Sequence, residues 1–516
     1  HHYRLPLRRT PPGGSDYALA LLLALGGALP ASAADAPAPA EEAPPLASSV
    51  PDKADTALGK VTVTARRREE DSQKVPTPIT VLGGETLEAQ RISRVQDLQQ
   101  LVPSTNVAYV HARQSSVSIR GLGNNPASDG LEGSVGLYLD NVYLGRPGMA
   151  SFDLLDIEQL EVLRGPQGTL FGKNASAGVL NIVSRAPGPV AERTLSAAGS
   201  SDGEWKLAAR FAGPLAADRL RGSVSGIVRR FAGNQRNLAG GHRVNGSDRE
   251  GLRAQVQAGD ADRLQVTLAV DFQHTREDVP NGTFLGTARA RASDGALQPN
   301  PVLAAILAEG GIVPSPGNTA IRTSVDSVVS DRNYGGVLRA DARLGGGVRL
   351  ASITAYRHWD NRQVQDYDGT DRMTAAGVAG SQIEGVDRGA LQTRQISQEI
   401  RLYADRPGLD YVAGLYLLDV TTEEEYHRQV RSLVAGAVRT NAGLANYAVG
   451  SLNLAAFGEL HWAWTDQLRV LAGARLLHDR LSFSHRRVTD VPAEGVGGIR
   501  PDFAARGTIR RTGWTG

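Results

Sequence analysis

The chain has 516 residues, 41% of them hydrophobic, enough to bury one or two sizeable cores, which excludes a short peptide or a wholly disordered tail. Lys plus Arg at 56 against Asp plus Glu at 54 leaves a formal net charge of +2, so there is no whole-molecule field to hold a polyanion and nucleic acid is not an expected partner. With no cysteine, disulfide frameworks, thiolate-ligated zinc and thiol nucleophiles are all ruled out.

At the N-terminus, Arg8 and Arg9 precede the apolar run 18–29, and Ala31-Ser32-Ala33 follows it. Charge, apolar core and small residues in that order predict a signal peptide over 1–34, cleaved near Ala33 or Ala34. The run is too short for a membrane anchor, which needs about 20 apolar residues. The chain opens on His1 instead of Met, so the native start is expected elsewhere. Beyond the signal no window of eighteen apolar residues occurs, so insertion into a membrane would require a closed barrel, the other form that satisfies every backbone group in lipid.

Residues 35–58, rich in Ala, Pro and Glu, bury too little apolar surface to offset ordering entropy; they predict a linker too short for a further domain. From 59 to 187 the pattern is mixed α and β. A strand is expected at 79–82 and helices at 85–90 and 95–101, the second with Ser93 and Gln96 as a capping box and Pro103 as a stop. Strands are expected at 117–119, 135–139, 159–163 and 179–184, between Gly, Asn and Pro turns.

From 188 onward long strands alternate strictly. Trp205, Leu207, Ala209 and Phe211 interleave with Lys206, Ala208 and Arg210; Leu264, Val266, Leu268, Val270 and Phe272 interleave with Gln265, Thr267, Asp271 and Gln273. Short turns at 213–219, 259–262, 345–347, 406–408 and 465–466 alternate with long polar segments at 232–249, 276–332, 361–390 and 424–450. Every long connection then falls on one rim, as in an up-and-down transmembrane barrel and unlike a soluble sandwich. About 12 strands are expected over 188–516, the last near 503–511.

Two stretches carry a family resemblance. Val61-Thr62-Val63-Thr64-Ala65 resembles a TonB box. Ser118-Ile119-Arg120-Gly121-Leu122 and the long run from Leu160-Glu161-Val162-Leu163-Arg164-Gly165-Pro166-Gln167-Gly168 through Phe171-Gly172-Lys173-Asn174 to Asn181-Ile182-Val183-Ser184 are similar to the plug signature of TonB-dependent outer-membrane receptors. Ser397-Gln398-Glu399-Ile400-Arg401-Leu402 is similar to a barrel-strand motif of that family.

The resemblance implies a transmembrane antiparallel β-barrel of 22 strands with an N-terminal α+β plug (here 59–187, including the box) inside its lumen. About ten of those strands would be missing, so this chain is expected to be part of a longer one, since an open half-barrel would leave two sheet edges in lipid. The space before Val61 is too short for a periplasmic signalling domain, which favours pure transport. Implied partners are the TonB energy-coupling protein, outer-membrane lipid and a small ligand, with ferric siderophore as the default and cobalamin, haem, oligosaccharide or aromatic compounds open. A surface adhesin or porin has no use for the plug sequence.

The expected roles divide in three. Val61 to Ala65 would add as an exposed, unpaired strand to a partner sheet. The resemblance suggests that Arg120 and Arg164 pair with barrel carboxylates, and Glu399 and Glu459, on the polar phase of their strands, are the candidates; the alternative is that each Glu faces lumen water. Tyr109, His111, Asn124, Asn125, Tyr143, Arg146 and Phe152 suit an organic chelate, as aromatic bodies with polar tips and a few donors.

Catalytic readings fail on spacing. Pro126 replaces the third glycine of a dinucleotide pattern begun by Gly121 and Gly123. In the phosphate-loop-like Gly172-Lys173, Gln167 replaces the leading glycine and Asn174 the hydroxyl. Glu423, Glu424, Glu425 and His427 read as a solvated charge run before a metal site, so no metal, cofactor or enzymatic activity is expected.

Overall fold

The computed structural model describes residues 62–64, 67, 70–75, 77–124, 131–216, 219–279, 282–291, 294–406, 408–465, 467–491 and 495–516. The expected signal peptide and linker, Val61, Ala65 and Asn125 lie outside the described residues. The chain divides into two compact units, 1–76 and 77–516.

In the first unit Thr62–Val63 is extended, as its β-branched residues favour. It is paired, however: Thr62 lies opposite Asp71 and Val63 opposite Glu70. Val63 is buried, and Asp71 caps the following turn by accepting from the Gln73 backbone N–H at 3.0 Å. The expectation of an unpaired, exposed segment is corrected here, because a bare row of backbone donors and acceptors is satisfied by the nearest extended residues in sequence.

The second unit begins with the plug. Its strands are β1 (Ile79–Gly83), β2 (Thr105–His111), β3 (Gln114–Ile119), β4 (Val135–Leu139), β5 (Val142–Tyr143), β6 (Ile157–Arg164) and β7 (Gly178–Ser184). β1-β6-β7-β4-β5 form one sheet in which β4 and β7 run parallel, and β2 and β3 form a separate hairpin. Leu82, Leu98, Leu160, Val162, Leu180 and Ile182 make its apolar centre, joined by Trp359 and Leu391 from the surrounding wall. β2 was not anticipated from sequence, because its buried phase (Thr105, Val107, His111) is polar at both ends. The segment Val95–Gln100 is a 3₁₀-helix capped differently from expectation. Asp97, not Gln96, reaches back, accepting from the backbone of Ser93 at 3.1 Å and of Arg94 at 3.0 Å; an ionised acceptor outcompetes an amide for these donors.

The wall is a twelve-stranded antiparallel sheet in chain order. Its strands are β8 (Glu192–Gly199), β9 (Glu204–Pro214), β10 (Leu220–Phe231), β11 (Ser247–Asp260), β12 (Leu264–Asp278), β13 (Val328–Gly345), β14 (Val348–Asp366), β15 (Glu384–Arg406), β16 (Leu409–Val434), β17 (Ala437–Ala463), β18 (Arg469–Thr489) and β19 (Phe503–Thr515). The first and last are not hydrogen-bonded to each other. All five expected short turns fall on one rim and the long connections on the other. The exception is 424–450, expected as a loop: β16 and β17 run on as a ladder to a two-residue turn, Ala435–Gly436, with φ of 49° and 77°. Both residues left-handed is the hairpin turn that matches strand twist.

The greasy phase faces outward. Trp205, Leu264, Leu268, Val270 and Phe272 are exposed, while Leu207 and Phe211 are half-buried. Facing the plug, Arg210, Arg249, Arg253, Gln255, Asp331 and Glu399 are buried.

One plug residue makes this packing pH-dependent. His111 is 0% exposed and neither ring nitrogen has a partner among the described residues. Burial, reinforced by the Arg113 charge, depresses its pKa to about 3, so the folded plug holds it neutral. The unfolded chain binds a proton near pH 6.5, so stability rises with pH between about 3 and 6.5 and is lost on acidification through that window. The plug should lose about 1.4 kcal/mol per pH unit below 6.5 from this group, read as its urea midpoint. His111→Leu should flatten that slope; an unchanged slope would show that His111 does not titrate as described.

Candidate functional site at the plug–wall boundary

The plug meets the wall through charge, and the sign changes from one arc to the other. Along β9 to β11 the wall supplies arginines and the plug supplies acids. Arg210 pairs with Asp156, to which Ser225 also donates at 2.8 Å. Arg229 donates to Ser93 Oγ at 2.7 Å and lies 3.4 Å from Asp153. Arg253 pairs with Asp140 and reaches Ser184 Oγ at 3.0 Å, which Gln255 also contacts at 2.8 Å.

Local chain geometry places these acids. Asp140 and Asn141 form the turn between β4 and β5, with φ of 49° and 69°, and Asp140 accepts from the Ser184 backbone at 2.8 Å. Asp156, also left-handed at φ 58°, ends the loop before β6. Aspartate tolerates that conformation better than most residues, so one residue type makes both the turn and the ion pair.

Along β15 to β18 the polarity reverses. Arg113, in the turn between β2 and β3, pairs with buried Glu424 and stands 5.5 Å over the Tyr426 ring. A Cβ at Gly389 would collide with the Arg113 guanidinium, so glycine leaves it room. Gln395 accepts from the Gly145 N–H at 3.0 Å and donates to the Tyr143 carbonyl at 2.5 Å. Arg146 donates to Thr422 Oγ1 at 3.3 Å, and Lys173 to Ser451 at 2.7 Å while pairing with Glu132 at 2.6 Å.

The expected lock residues sit elsewhere. Arg164 donates to Thr80 within the plug at 2.7 Å, and Arg120 is an exposed left-handed turn residue at φ 53°. Glu399 lies 3.0 Å from Arg401 of its own strand, and Glu459 2.8 Å from His461. Among the described residues each of the two glutamates has a partner two residues on, which shares its face of the strand, and the two arginines lie at turns of the plug. The true pairs link residues 113 and 311 positions apart, as in Arg253–Asp140 and Arg113–Glu424. The one sequence signal is strand parity, and it reaches only Arg229 and Arg253, which stand on the wet phase of alternating strands; Glu424 lies where both phases are polar.

Most expected ligand residues are buried in this structure. His111, Tyr143, Arg146 and Phe152 are at most 7% exposed, and Phe152 belongs to the apolar core. Tyr143 accepts from Asn174 at 2.6 Å, and Tyr109 donates to Glu277 of β12. Asn124 is half-buried. Aromatic bodies with polar tips suit a protein interface as well as a ligand, which is why composition alone did not separate the two.

A cluster outside the expected set lines the lumen face nearer the long-loop rim. Arg428 is held bidentately by Asp387 at 2.7 and 2.6 Å, bonds the Tyr426 hydroxyl at 2.9 Å and lies 4.4 Å over the Tyr367 ring. Glu423, Glu425 and His427 are on a strand, on the face opposite Glu424, so the four cannot converge on one ion.

Residues 71–179 match the TonB-dependent receptor plug domain model. The pesticin receptor of Yersinia pestis is 29% identical over 198 residues, 38% of this chain and 27% of that protein. The vitamin B12 transporter BtuB of Photobacterium profundum is 27% identical over 30% of this chain and 25% of that protein. Among solved structures, the ferric yersiniabactin uptake receptor FyuA from Yersinia pestis superposes with a TM-score of 0.65 at 20% identity, over 85% of this chain and 61% of that one. The aligned regions thus span about a quarter of the curated relatives' length and under two thirds of the solved one. Fold and plug agree with the resemblance read from the motifs: residues 71–179 match a TonB-dependent receptor plug domain, and the α+β plug set against the inner face of an antiparallel wall has the fold of the solved receptor.

Proposed function

We propose that the chain serves TonB-dependent uptake of a scarce ligand, a ferric siderophore, across the bacterial outer membrane. The observation that carries the reading is a plug fixed to the wall by buried ion pairs inside a sheet whose other face is apolar. A passive pore needs no such stopper, and a stopper held by buried charge needs work to move it. The family of the plug supports TonB as the source of that work, with outer-membrane lipid around the wall. The likeness to a ferric yersiniabactin receptor supports an iron chelate, while the match to a vitamin B12 transporter supports cobalamin as the second reading.

In this mechanism ligand arrives at the long-loop rim, near Arg428, Tyr426 and Tyr367, where guanidinium and aromatic faces suit an amphipathic chelate. Residues 61–65 act as the TonB box by leaving their partner Glu70–Asp71 and adding to a strand of TonB. Tension on the plug then has to part the pairs at Asp156, Asp140 and Arg113.

In-frame deletion of 61–65 should abolish energy-dependent uptake and leave surface binding intact; uptake at the parental rate would refute energy coupling through this segment. Induction of the gene under iron limitation should accompany the siderophore reading, and its absence would favour cobalamin. For the lock, Asp156→Asn leaves Arg210 with Glu192 at 3.3 Å and the Ala186 carbonyl at 3.2 Å and removes the charged bond to the plug, so plug release in urea should become easier by about 2 kcal/mol. The double variant Asp156→Leu/Arg210→Met should recover most of that loss; no recovery would mean that Asp156 acts through packing instead of charge.

A further inference from the structure

We infer that the long connections after β10, β12 and β14 form one roof over their arc of the rim, which opens as a single unit and not as three separate flaps. β10 to β15 are inner strands of the sheet, each paired on both sides, and their connections are tied to one another in series. The first set of ties joins the connections after β10 and β12. Arg236 and Asn237 pair in parallel with Ala320 and Ile321. Buried Asn237 donates to Thr323 Oγ1 at 3.1 Å and accepts from the Thr323 N–H at 3.3 Å, and His242 lies 3.0 Å from Asp326.

The second set joins the connections after β12 and β14. The Ser324 N–H donates to the Thr370 carbonyl at 3.3 Å, and the Asp366 N–H to Ser327 Oγ at 2.8 Å. The helix Pro301–Glu309 of the middle connection is held at both ends by the third. Gln382 donates to Oδ1 of its cap residue Asn300 at 3.1 Å; Glu309 accepts from the Ala376 N–H at 2.6 Å and lies 3.2 Å from Arg372. A helix disfavours a negative charge at its own C-terminus, so the neighbouring connection accounts for Glu309 there. Arg372 continues to Asp371 at 3.0 Å, and Asp371 returns to Arg322 of the middle connection at 2.6 Å. These ion pairs are partly exposed and each is worth no more than about 1 kcal/mol, whereas ordering one residue costs about 1–2 kcal/mol. No tie holds a connection down alone. They become effective when all three connections are in place together, which is the condition for cooperative opening. Under the proposed uptake no single connection then folds over ligand by itself; the coupling between connections does not depend on what is transported.

Full-length protein in detergent micelles is treated with trypsin, and initial cleavage rates after Arg243, in the first connection, and after Arg372, in the third, are read by mass spectrometry. Asp371→Asn removes the clasp between the second and third connections. It should raise cleavage after Arg243 as well as after Arg372, each by about fivefold, since cleavage follows the population of the opened form. Asn237→Ala should do the same from the other end. Conversely, Arg236→Cys/Ala320→Cys joins Cα partners in a sequence without cysteine. Its oxidation should slow cleavage after Arg372, and dithiothreitol should restore the rate. Cleavage after Arg243 at the parental rate in Asp371→Asn would show independent flaps and overturn the roof, as would a disulfide that leaves cleavage after Arg372 unchanged. Should either single variant fail to fold, judged by heat-modified mobility on a gel, the disulfide comparison, made in the otherwise unaltered sequence, decides alone.

Discussion

A charged group facing protein instead of water must find its counter-charge there, and this constraint organises the molecule. The wall's inner phase is rich in Arg, Asp, Glu and Gln, as suits a water-filled lumen, yet here much of it is covered by the plug. Leaving one member of such a pair alone costs several kcal/mol, so the plug's surface is dictated by the wall as firmly as its core is dictated by its own sheet. The two arcs satisfy this differently: plug acids meet Arg210, Arg229 and Arg253 on one, while on the other Arg113 meets Glu424 and the hydroxyls of Thr422 and Ser451 accept from Arg146 and Lys173. Rotating the plug in the lumen would bring like charges together, so the alternation fixes orientation as well as adhesion.

The same strands meet a different solvent on their other side, and strand parity separates the two. Leu264 to Phe272 put five apolar side chains outward and Gln265, Asp271 and Gln273 inward, a slip of one residue exchanging the sets. Asp271 shows what the inner phase does once formed, lying 2.5 Å from Arg357 and 3.5 Å from Arg253, which also holds the plug. The wall's own ion pairs thus aim the arginines that grip Asp140.

Period-two alternation made the wall legible from sequence, and the plug's long motif made its sheet legible. What stayed hidden follows from physics. Over 424–450 both phases are polar, because β16 and β17 continue past the apolar band into water: Glu425 and His427 face out, Tyr426 and Arg428 face in, and the contrast that reveals a strand disappears. The ion pairs across the boundary were hidden for another reason. Arg164 and Glu399 have the right chemistry, but nearer partners, Thr80 and Arg401, take them first, and sequence carries no distances. Tyr143, Arg146 and Phe152 were expected at a ligand; in the structure all three are buried, Tyr143 and Arg146 against the wall and Phe152 in the apolar core.

If residues 61–65 are pulled as proposed, the paired state of Thr62–Val63 bears on the order of events under load. Two residues against two give a ladder of very few hydrogen bonds, each worth about 1 kcal/mol net. Each buried pair that fixes the plug costs about 3–5 kcal/mol to strand on one side. A partner strand that replaces Glu70–Asp71 restores the lost backbone bonds as it forms, so exchange at the hairpin is close to neutral. Breaking the Arg210, Arg253 and Arg113 pairs brings no new partner until water enters; Glu192 and Asp271 stay beside Arg210 and Arg253, while Asp156, Asp140 and Glu424 lose their arginines. Under the proposed coupling, engagement would come cheaply and before displacement, and the barrier to opening would reside in the ion pairs across the plug–wall boundary, not in the segment that is pulled.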